Sequence, residues 1–446
     1  MPHLPFYPPD SSFCPDRHAE EPTMPYPNMV TLRQEFERPI VADIPGTVRR
    51  TLESLALEKR IRPGQTVALT AGSRGIANIA VILRETVRFL RQLGAEPFIV
   101  PAMGSHGGAT AEGQRRVLES YGITEAFVEA PIRASMDVVS LGTTAEGYPV
   151  MLDRFASEAD HIGVIGRVKP HTGFHGPIES GLLKMLMIGL GKHAGATRYH
   201  RILLEQPYDQ VVRSVARHIL ARKSVPFGLA IVENAYDETA LIEAVPPERF
   251  EQREEQLLQL ARRWLPRLPW SQADLLIVDE IGKEISGSGM DTNVVGRKRA
   301  LKSASDIPQP EMRLIFVRHL SEKTHGNATG IGLADFTTAR LVRRMDYRAT
   351  VINCLTAGYP AGAFIPVYFE TDREVLDAAL SIVAPDDPSS ARVLRIRNTL
   401  RLEIVQASEA CWKAGPPQTR CATIEPPRPL TFDADGNLPP LAFACT

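Results

Sequence analysis

This sequence has few cysteines, almost no net charge and no long apolar run. Its 446 residues include five cysteines, which lie far apart and form no CxxC pair. This pattern is typical of a reduced cytosolic protein and argues against a disulfide framework or an iron–sulfur site. With 51 basic and 52 acidic side chains, the chain has no charge excess that favours nucleic acid or a membrane surface. No apolar run approaches the roughly 20 residues that span a bilayer.

The chain is long enough for two or three domains. Residues 1–28 are rich in proline and lack the charged and apolar regions of a signal peptide, so we expect a flexible N-terminal arm and a cytoplasmic protein. A charged helix that ends in prolines, predicted at 246–270, marks the best domain boundary. We therefore predict an N-terminal α/β catalytic and cofactor domain at 29–268 and a C-terminal α/β domain at 269–405. We expect the tail, 406–446, to pack back on the first domain.

Along the chain, apolar runs typical of β-strands alternate with segments whose apolar residues have the spacing of an α-helix. Strand-and-loop units are predicted at 66–75, 97–108, 161–171, 227–237, 273–282 and 312–332. This alternation predicts an α/β fold with parallel or mixed sheets covered by helices on both faces. Ligands of such sheets gather at the carboxyl ends of the strands. Because Arg74, His106 and His171 each follow a predicted strand, we expect them at one edge of a sheet.

The segment 167–201 has the richest chemistry, with four histidines, three lysines and several glycines. Imidazoles transfer protons or bind metals near neutral pH, and a lysine in an apolar run, such as Lys184, is costly to bury unless it is paired or modified. His106 and His171, on separate strand ends, can face one ligand from two sides. We interpret His175 and His193 as bystanders. The residues alone predict a cleft enzyme with two histidine bases.

Two further patterns leave alternatives open. No HExxH motif or His/Cys cluster occurs, which argues against a conventional zinc site. The glycine-rich segment 282–299 ends in basic residues that include Lys298, and such a loop can hold a carboxylate or phosphate. An exposed basic loop without a ligand is the equal alternative.

Five motifs in a fixed order carry a resemblance to a known family. They are AGSRG (71–75), GSHGG (104–108), KPHTGF (169–174), ESGLLKM (179–185) and GKHAGATRYH (191–200). Together they resemble the lactate racemase family, whose members use a nickel-pincer nucleotide, nickel pyridinium-3,5-bisthiocarboxylic acid mononucleotide. The resemblance implies two α/β domains with a cofactor cleft between them.

The resemblance also implies roles for individual residues. By it, His200 is the nickel ligand and Lys184 is the residue that tethers the cofactor. His106 and His171 are the paired acid–base histidines, and Arg74 and Lys298 contact the substrate. An acidic residue that the family has shortly before Arg74 is absent, since Thr70, Ala71, Gly72 and Ser73 stand there. This difference argues against lactate itself as the substrate.

The expected function is a racemase or epimerase of a 2-hydroxy acid, by hydride transfer to and from the nickel-pincer nucleotide. A 2-hydroxy acid has a poorly acidic α-proton, so hydride removal is a plausible route, and one histidine must take the hydroxyl proton as the hydride leaves. Expected partners are the small-molecule substrate and the cofactor-synthesis enzymes. A divalent-metal hydrolase or lyase that uses the same histidines is one alternative. A non-enzymatic carrier of nickel or cofactor is another.

Overall fold

The computed structural model describes residues 26–73, 75–173, 175–298 and 310–441. The predicted N-terminal arm thus lies outside the described residues up to residue 25. Among the described residues, no helix has both the length and the apolarity needed to cross a membrane.

The described residues form two large β-sheets and one small hairpin-like pair of strands. The strands are β1 (Asn28–Glu35), β2 (Thr66–Ala71), β3 (Glu96–Pro101), β4 (Val138–Thr143), β5 (Pro149–Asp153), β6 (His161–Arg167), β7 (Phe227–Glu233), β8 (Thr239–Val245), β9 (Gln272–Ile281), β10 (Glu311–Leu320), β11 (Phe336–Thr338), β12 (Val367–Phe369), β13 (Val393–Asn398), β14 (Arg401–Ser408) and β15 (Arg420–Pro429).

Helices connect most of these strands. The α-helices of the described residues are α1 (Ile44–Glu53), α2 (Ile79–Gln92), α3 (Ala111–Ser120), α4 (Glu125–Val128), α5 (Arg154–Glu158), α6 (Leu182–Lys184), α7 (Lys192–Ile202), α8 (Tyr208–Leu220), α9 (Phe250–Trp264), α10 (Thr292–Val295), α11 (Ala339–Arg344), α12 (Tyr347–Thr356), α13 (Asp372–Val383) and α14 (Glu409–Ala414). A π-helical turn, Met185–Gly189, joins α6 to α7.

Local sequence explains where several helices begin and end. The side chain of Asp43 accepts the backbone N–H of Gly46 and so caps the start of α1. Thr371 and Glu374 form a reciprocal capping box at the start of α13. Helix α2 ends just before Gly94, whose φ of +79° is the left-handed conformation that glycine adopts without strain.

The smaller sheet has the strand order β3-β2-β6-β7-β8. Its first four strands run parallel, and β8 pairs with β7 antiparallel. Side chains alternate between its faces, so Leu69 packs with Leu83 of α2 on one side while Ala68 packs with Leu186 on the other. The predicted α/β fold with helices on both faces is therefore confirmed for this sheet. All four parallel strands end at one edge.

The larger sheet has the strand order β12-β11-β10-β9-β13-β14-β1-β15 and is mixed. Strands β12 to β13 run parallel, whereas β14, β1 and β15 are antiparallel. Residues 28–35 thus join a sheet built from the second half of the chain, and the tail strand, 420–429, pairs with them. Leu32 of β1 is fully buried in the core of this sheet. The domain boundaries proposed from the sequence stay predictions.

Candidate functional site

Three neighbouring strands of the smaller sheet place candidate residues at its carboxyl edge. Strands β2, β3 and β6 end at Ala71, Pro101 and Arg167. The loops that follow them carry Ser73, His106 and His171. Because parallel strands end on the same side, these loops form one rim of the sheet. Arg74, the predicted substrate contact in the first loop, lies outside the described residues, so its role stays a prediction.

His106 is an exposed histidine on a tightly held loop. Its imidazole Nδ1 is hydrogen-bonded to the hydroxyl of Ser73, which belongs to the loop after β2. Its backbone N–H donates to the carbonyl of Met103 at 3.1 Å, and its own carbonyl accepts from Gln114 Nε2 at 3.3 Å. Ser73 therefore fixes the direction of the ring from one side and backbone contacts fix the loop from the other. An exposed imidazole with a fixed orientation can serve as an acid or base.

His171 is half-buried, and its ring orientation is set by the protein. The backbone N–H of Gly173 donates to His171 Nδ1 at 2.9 Å, so the neutral imidazole carries its proton on Nε2. The ring stacks on Tyr208, with centroids 6.4 Å apart and planes 19° apart. The backbone N–H of His171 donates to Glu179 Oε2 at 2.6 Å. These contacts hold a single tautomer and a single ring plane.

Glu179 is a buried carboxylate at the centre of a charged cluster. Arg262 donates to its Oε1 at 2.7 Å, and His175 Nδ1 lies 3.6 Å from the same oxygen. Burial by itself raises the pKa of Glu179, but the contact with His175, the charge of Lys298 and the donors at His171 and Arg262 outweigh burial and lower the pKa. Glu179 therefore stays ionised near neutral pH and anchors the loop of His171.

Lys298 reaches this cluster from the second half of the chain. Its Nζ lies 3.2 Å from His175 Nδ1. Burial lowers the pKa of Lys298 to about 8, against the opposing attraction of Glu179 and Asp291. Nearby, the hydroxyl of Thr292 donates to the carbonyl of Thr172 at 2.6 Å. His175, which the sequence interpretation set aside as a bystander, thus lies at the contact between the two halves of the chain.

Lys184 and His200 lie on either side of the π-helical turn and interact through charge. Lys184 is the last residue of α6, and its Nζ donates to Ser180 Oγ at 3.2 Å. Burial lowers the pKa of His200, and the positive charge of Lys184 lowers it further. The imidazole is therefore neutral near pH 7, which is the form that binds metals. His193, by contrast, is exposed.

The π-helical turn between Lys184 and His200 packs closely against the loops that follow β2 and β3. A methyl group on Gly72 would lie 3.6 Å from Met185 Cε, and one on Gly104 would lie 3.3 Å from Ile188 Cγ2. A methyl on Gly189 would lie only 2.8 Å from the carbonyl oxygen of Ala102. The contact at Gly72 would be ordinary, whereas the approach at Gly189 requires a glycine and lets the segment before His200 meet the start of the loop of His106.

Several residues that hold the site escaped the sequence interpretation. Ser73 stands beside Arg74 in AGSRG, and Glu179 is the only acid in 167–201, so both had a signal that could have been followed. Tyr208, which stacks on His171, and Glu254, which accepts the backbone N–H of Leu183 at 3.1 Å, had none, because they reach the site from other helices. Within the part of the chain that the structure describes, no group of three or more His, Cys, Asp or Glu side chains could hold a metal ion.

Comparison with known proteins adds one family match. Residues 32–211 match the model of the lactate racemase N-terminal domain. No curated protein matches the chain significantly.

Two solved structures are similar to the chain. One is the lactate racemase apoprotein from Thermoanaerobacterium thermosaccharolyticum, with 14% identity over 81% of this chain and 95% of that one and a TM-score of 0.48. The other is a protein from Thermotoga maritima, with 13% identity over 74% of this chain and 83% of that one and a TM-score of 0.48.

Proposed function

We propose that the chain, of which residues 32–211 match the model of the lactate racemase N-terminal domain, is an isomerase that racemises or epimerises a 2-hydroxy acid. The observation that supports this most is the placement of His106 and His171. They follow β3 and β6, the two strands that flank β2. Their loops are thus separated by two strand spacings, roughly 10 Å, which leaves room for a small substrate between two imidazoles.

Two bases suit the symmetry of this reaction. Inversion at the carbinol carbon requires that hydrogen leave one face of the substrate and return to the opposite face. As the hydrogen leaves the carbon, one histidine takes the proton of the hydroxyl group. After the planar keto acid turns, the other histidine serves the return step. The held orientations of His106 and His171 are what such a pair needs.

The residues present also fit a nickel-pincer nucleotide. A neutral imidazole at His200 is suited to complete a metal site whose remaining ligands come from the cofactor. Lys184, whose charge acts on His200, is the residue that we propose tethers the nucleotide. When bound, this cofactor accepts and returns the hydride. The protein's own residues bind and orient the substrate and move the hydroxyl proton.

Arg74 and Lys298 are the proposed contacts for the carboxylate of the substrate. Lys298 has a pKa of about 8 and so remains mostly protonated at pH 7. It lies beside His175, four residues after His171, and so supplies a cation to the segment that carries one of the two proposed bases. A cation there pairs with a carboxylate while leaving the hydroxyl group to the histidine.

The test is to express the chain together with cofactor-synthesis enzymes, and to combine intact-protein mass spectrometry, metal analysis and a panel of optically pure 2-hydroxy acids. We expect nickel, the mass of the nucleotide and loss of optical purity for at least one acid. We also expect His200→Ala to lose nickel, while the matched control His193→Ala retains it. Zinc without a sulfur-bearing nucleotide would favour a divalent-metal hydrolase or lyase. Bound cofactor without racemisation across the panel would favour a carrier.

A further inference from the structure

We infer that Lys192 is a positioning residue that fixes the loop of His106, and that it acts through the side chain of Gln114. The inference rests on the proposed function only in taking His106 as the residue that needs a fixed position. Lys192 bonds to Pro101 at the start of the loop and to Gln114, so its effect on the imidazole passes through these two neighbours.

Lys192 is fully buried, which is unusual for a lysine. It is the first residue of α7. Its backbone φ is +53°, a left-handed conformation that residues other than glycine rarely adopt. A buried ammonium is costly unless its protons meet acceptors. Here it meets three oxygens: Nζ lies 2.5 Å from the carbonyl of Pro101, 3.1 Å from Asp153 Oδ2 and 3.2 Å from Gln114 Oε1. The contacts with Pro101 and Gln114 are hydrogen bonds, and the contact with Asp153 is an ion pair.

Gln114 transmits this arrangement to the loop. Its side chain is also fully buried. Because its Oε1 faces the ammonium of Lys192, its Nε2 must face the opposite way. There it donates to the carbonyls of Gly104 at 2.9 Å and His106 at 3.3 Å. Lys192 thus decides which end of the Gln114 amide meets the loop, and a reversed amide would present an oxygen to two carbonyl oxygens.

The loop also packs tightly against the backbone at Gln114. A methyl group on Gly107, whose φ is +65°, would lie 2.6 Å from the backbone nitrogen of Gln114. Pro101, the carbonyl of which accepts from Lys192, is the last residue of β3 and so marks where the loop departs. The same ammonium therefore holds the start of the loop directly and its carbonyls at residues 104 and 106 through Gln114.

Asp153 completes the arrangement as the acidic partner of Lys192. It is fully buried at the end of β5, and its carboxylate also accepts the backbone N–H of Ala156 at 2.9 Å. Burial lowers the pKa of Lys192, and the charge of Asp153 opposes that change. An apolar pair of similar volume could fill this space without orienting Gln114. Unlike apolar packing, the Lys192–Asp153 pair therefore also orients the side-chain amide of Gln114.

The experiment uses the cofactor-free full-length chain and needs no substrate. The test variants are the double variant Lys192→Met with Asp153→Leu, which leaves no unpaired buried charge, and Gln114→Leu, which leaves Lys192 and Asp153 in place. The matched control is Lys223→Met, since Lys223 Nζ donates to the carbonyl of Ser157 at 2.7 Å away from the site. The readouts are amide hydrogen exchange, the NMR signal of His106 in histidine-labelled protein and the melting temperature.

In both test variants we expect exchange in 102–110 to rise at least 10-fold and the His106 signal to shift. Exchange in the loop of His171 and all signals in Lys223→Met should stay as in the wild type. Unchanged exchange in 102–110 and an unchanged His106 signal in either folded variant would overturn the inference. If one test variant does not fold, the other decides by the same two readouts. Since none of these readouts involves cofactor or racemisation, the result is independent of the panel that tests the proposed function.

Discussion

The carboxylate of Glu254 accepts the backbone N–H of Leu183 at 3.1 Å, one residue before Lys184. Glu254 belongs to α9 and is fully enclosed. A carboxyl group from a distant helix therefore meets the start of the short turn that presents the proposed tether lysine. Burial raises the pKa of Glu254 to about 7, in spite of these backbone donors.

This raised pKa predicts a specific dependence of stability on pH. Between about pH 4.5 and 7 the unfolded chain releases the Glu254 proton while the folded chain retains it, so the free energy of unfolding falls as pH rises. The fall is on the order of 3 kcal/mol across the window. Glu254→Gln should abolish it, as measured by urea unfolding at a series of pH values. The exposed control Glu58→Gln should keep the slope of the wild type, and an unaltered slope in Glu254→Gln would contradict the prediction.

Glu179→Gln should destabilise the protein strongly. The substitution leaves Arg262, 2.7 Å from the carboxylate, and Lys298 without their buried acid. Loss of one partner of a buried ion pair costs about 3–5 kcal/mol. Because the pKa of Glu179 is lowered, the lost stability is that present above about pH 4.5, and the two proteins should converge as pH falls below that value. Chemical denaturation at pH 7 and pH 4 measures both effects.

The control for this change is Glu112→Gln, in an exposed pair with Arg116 at 3.5 Å. Exposed pairs contribute little, so its stability should change by less than about 1 kcal/mol. A similar loss in the two variants would show that the cluster around Glu179 has no special part in stability.

His106→Ala and His171→Ala should each abolish interconversion while cofactor stays bound. Acid–base groups contribute roughly 10²- to 10⁴-fold to a rate, so the loss should be at least of that order. Racemisation assays and mass spectrometry of the loaded protein measure activity and cofactor separately. His193→Ala, at an exposed position, is the control and should keep its rate. Full activity in either test variant would remove that histidine from the mechanism.

Ser73→Ala should slow the reaction without abolishing it. The substitution removes the hydroxyl that bonds to His106 Nδ1 and so frees the ring to turn. A single hydrogen bond of this kind contributes about 0.5–1.5 kcal/mol, which corresponds to roughly a 2- to 13-fold loss of rate. The measurement is kcat on the acid identified by the panel, together with the NMR signal of His106. Ser120→Ala, on the outside of α3, should change neither quantity.

Arg318→Met should release the C-terminal segment from the larger sheet. Arg318 is buried, pairs with Asp279 at 2.9 Å and donates to the carbonyl of Leu438 at 2.5 Å. Limited proteolysis should then cut at residues 430–441 much faster than in the wild type. The control Arg343→Met, in an exposed pair with Glu370, should be cut at the rate of the wild type. Equal cutting rates in all three proteins would show that Arg318 does not anchor this segment.

Local patterns in the sequence were enough for the elements and for the position of two candidate residues. Apolar runs followed by helical spacing predicted β2, β3, β6 and β7, and each is present. His106 and His171 follow strands, as predicted, because the carboxyl edge of a parallel sheet can be inferred from strand direction alone. The roles given to these residues, to Arg74, Lys184 and Lys298, and to His200 as a metal ligand, remain predictions.

By itself, the sequence determined the alternation of strands and helices and the order of the histidine and glycine motifs, because both are local properties of the chain. Only the tertiary structure decided what surrounds those motifs. Glu254 is separated from Leu183 by 71 residues, and Lys192 from Pro101 by 91. Likewise, β1 pairs with β14 and β15 from the far end of the chain. Burial and ion pairing depend on which distant segments meet, and no local periodicity records that choice.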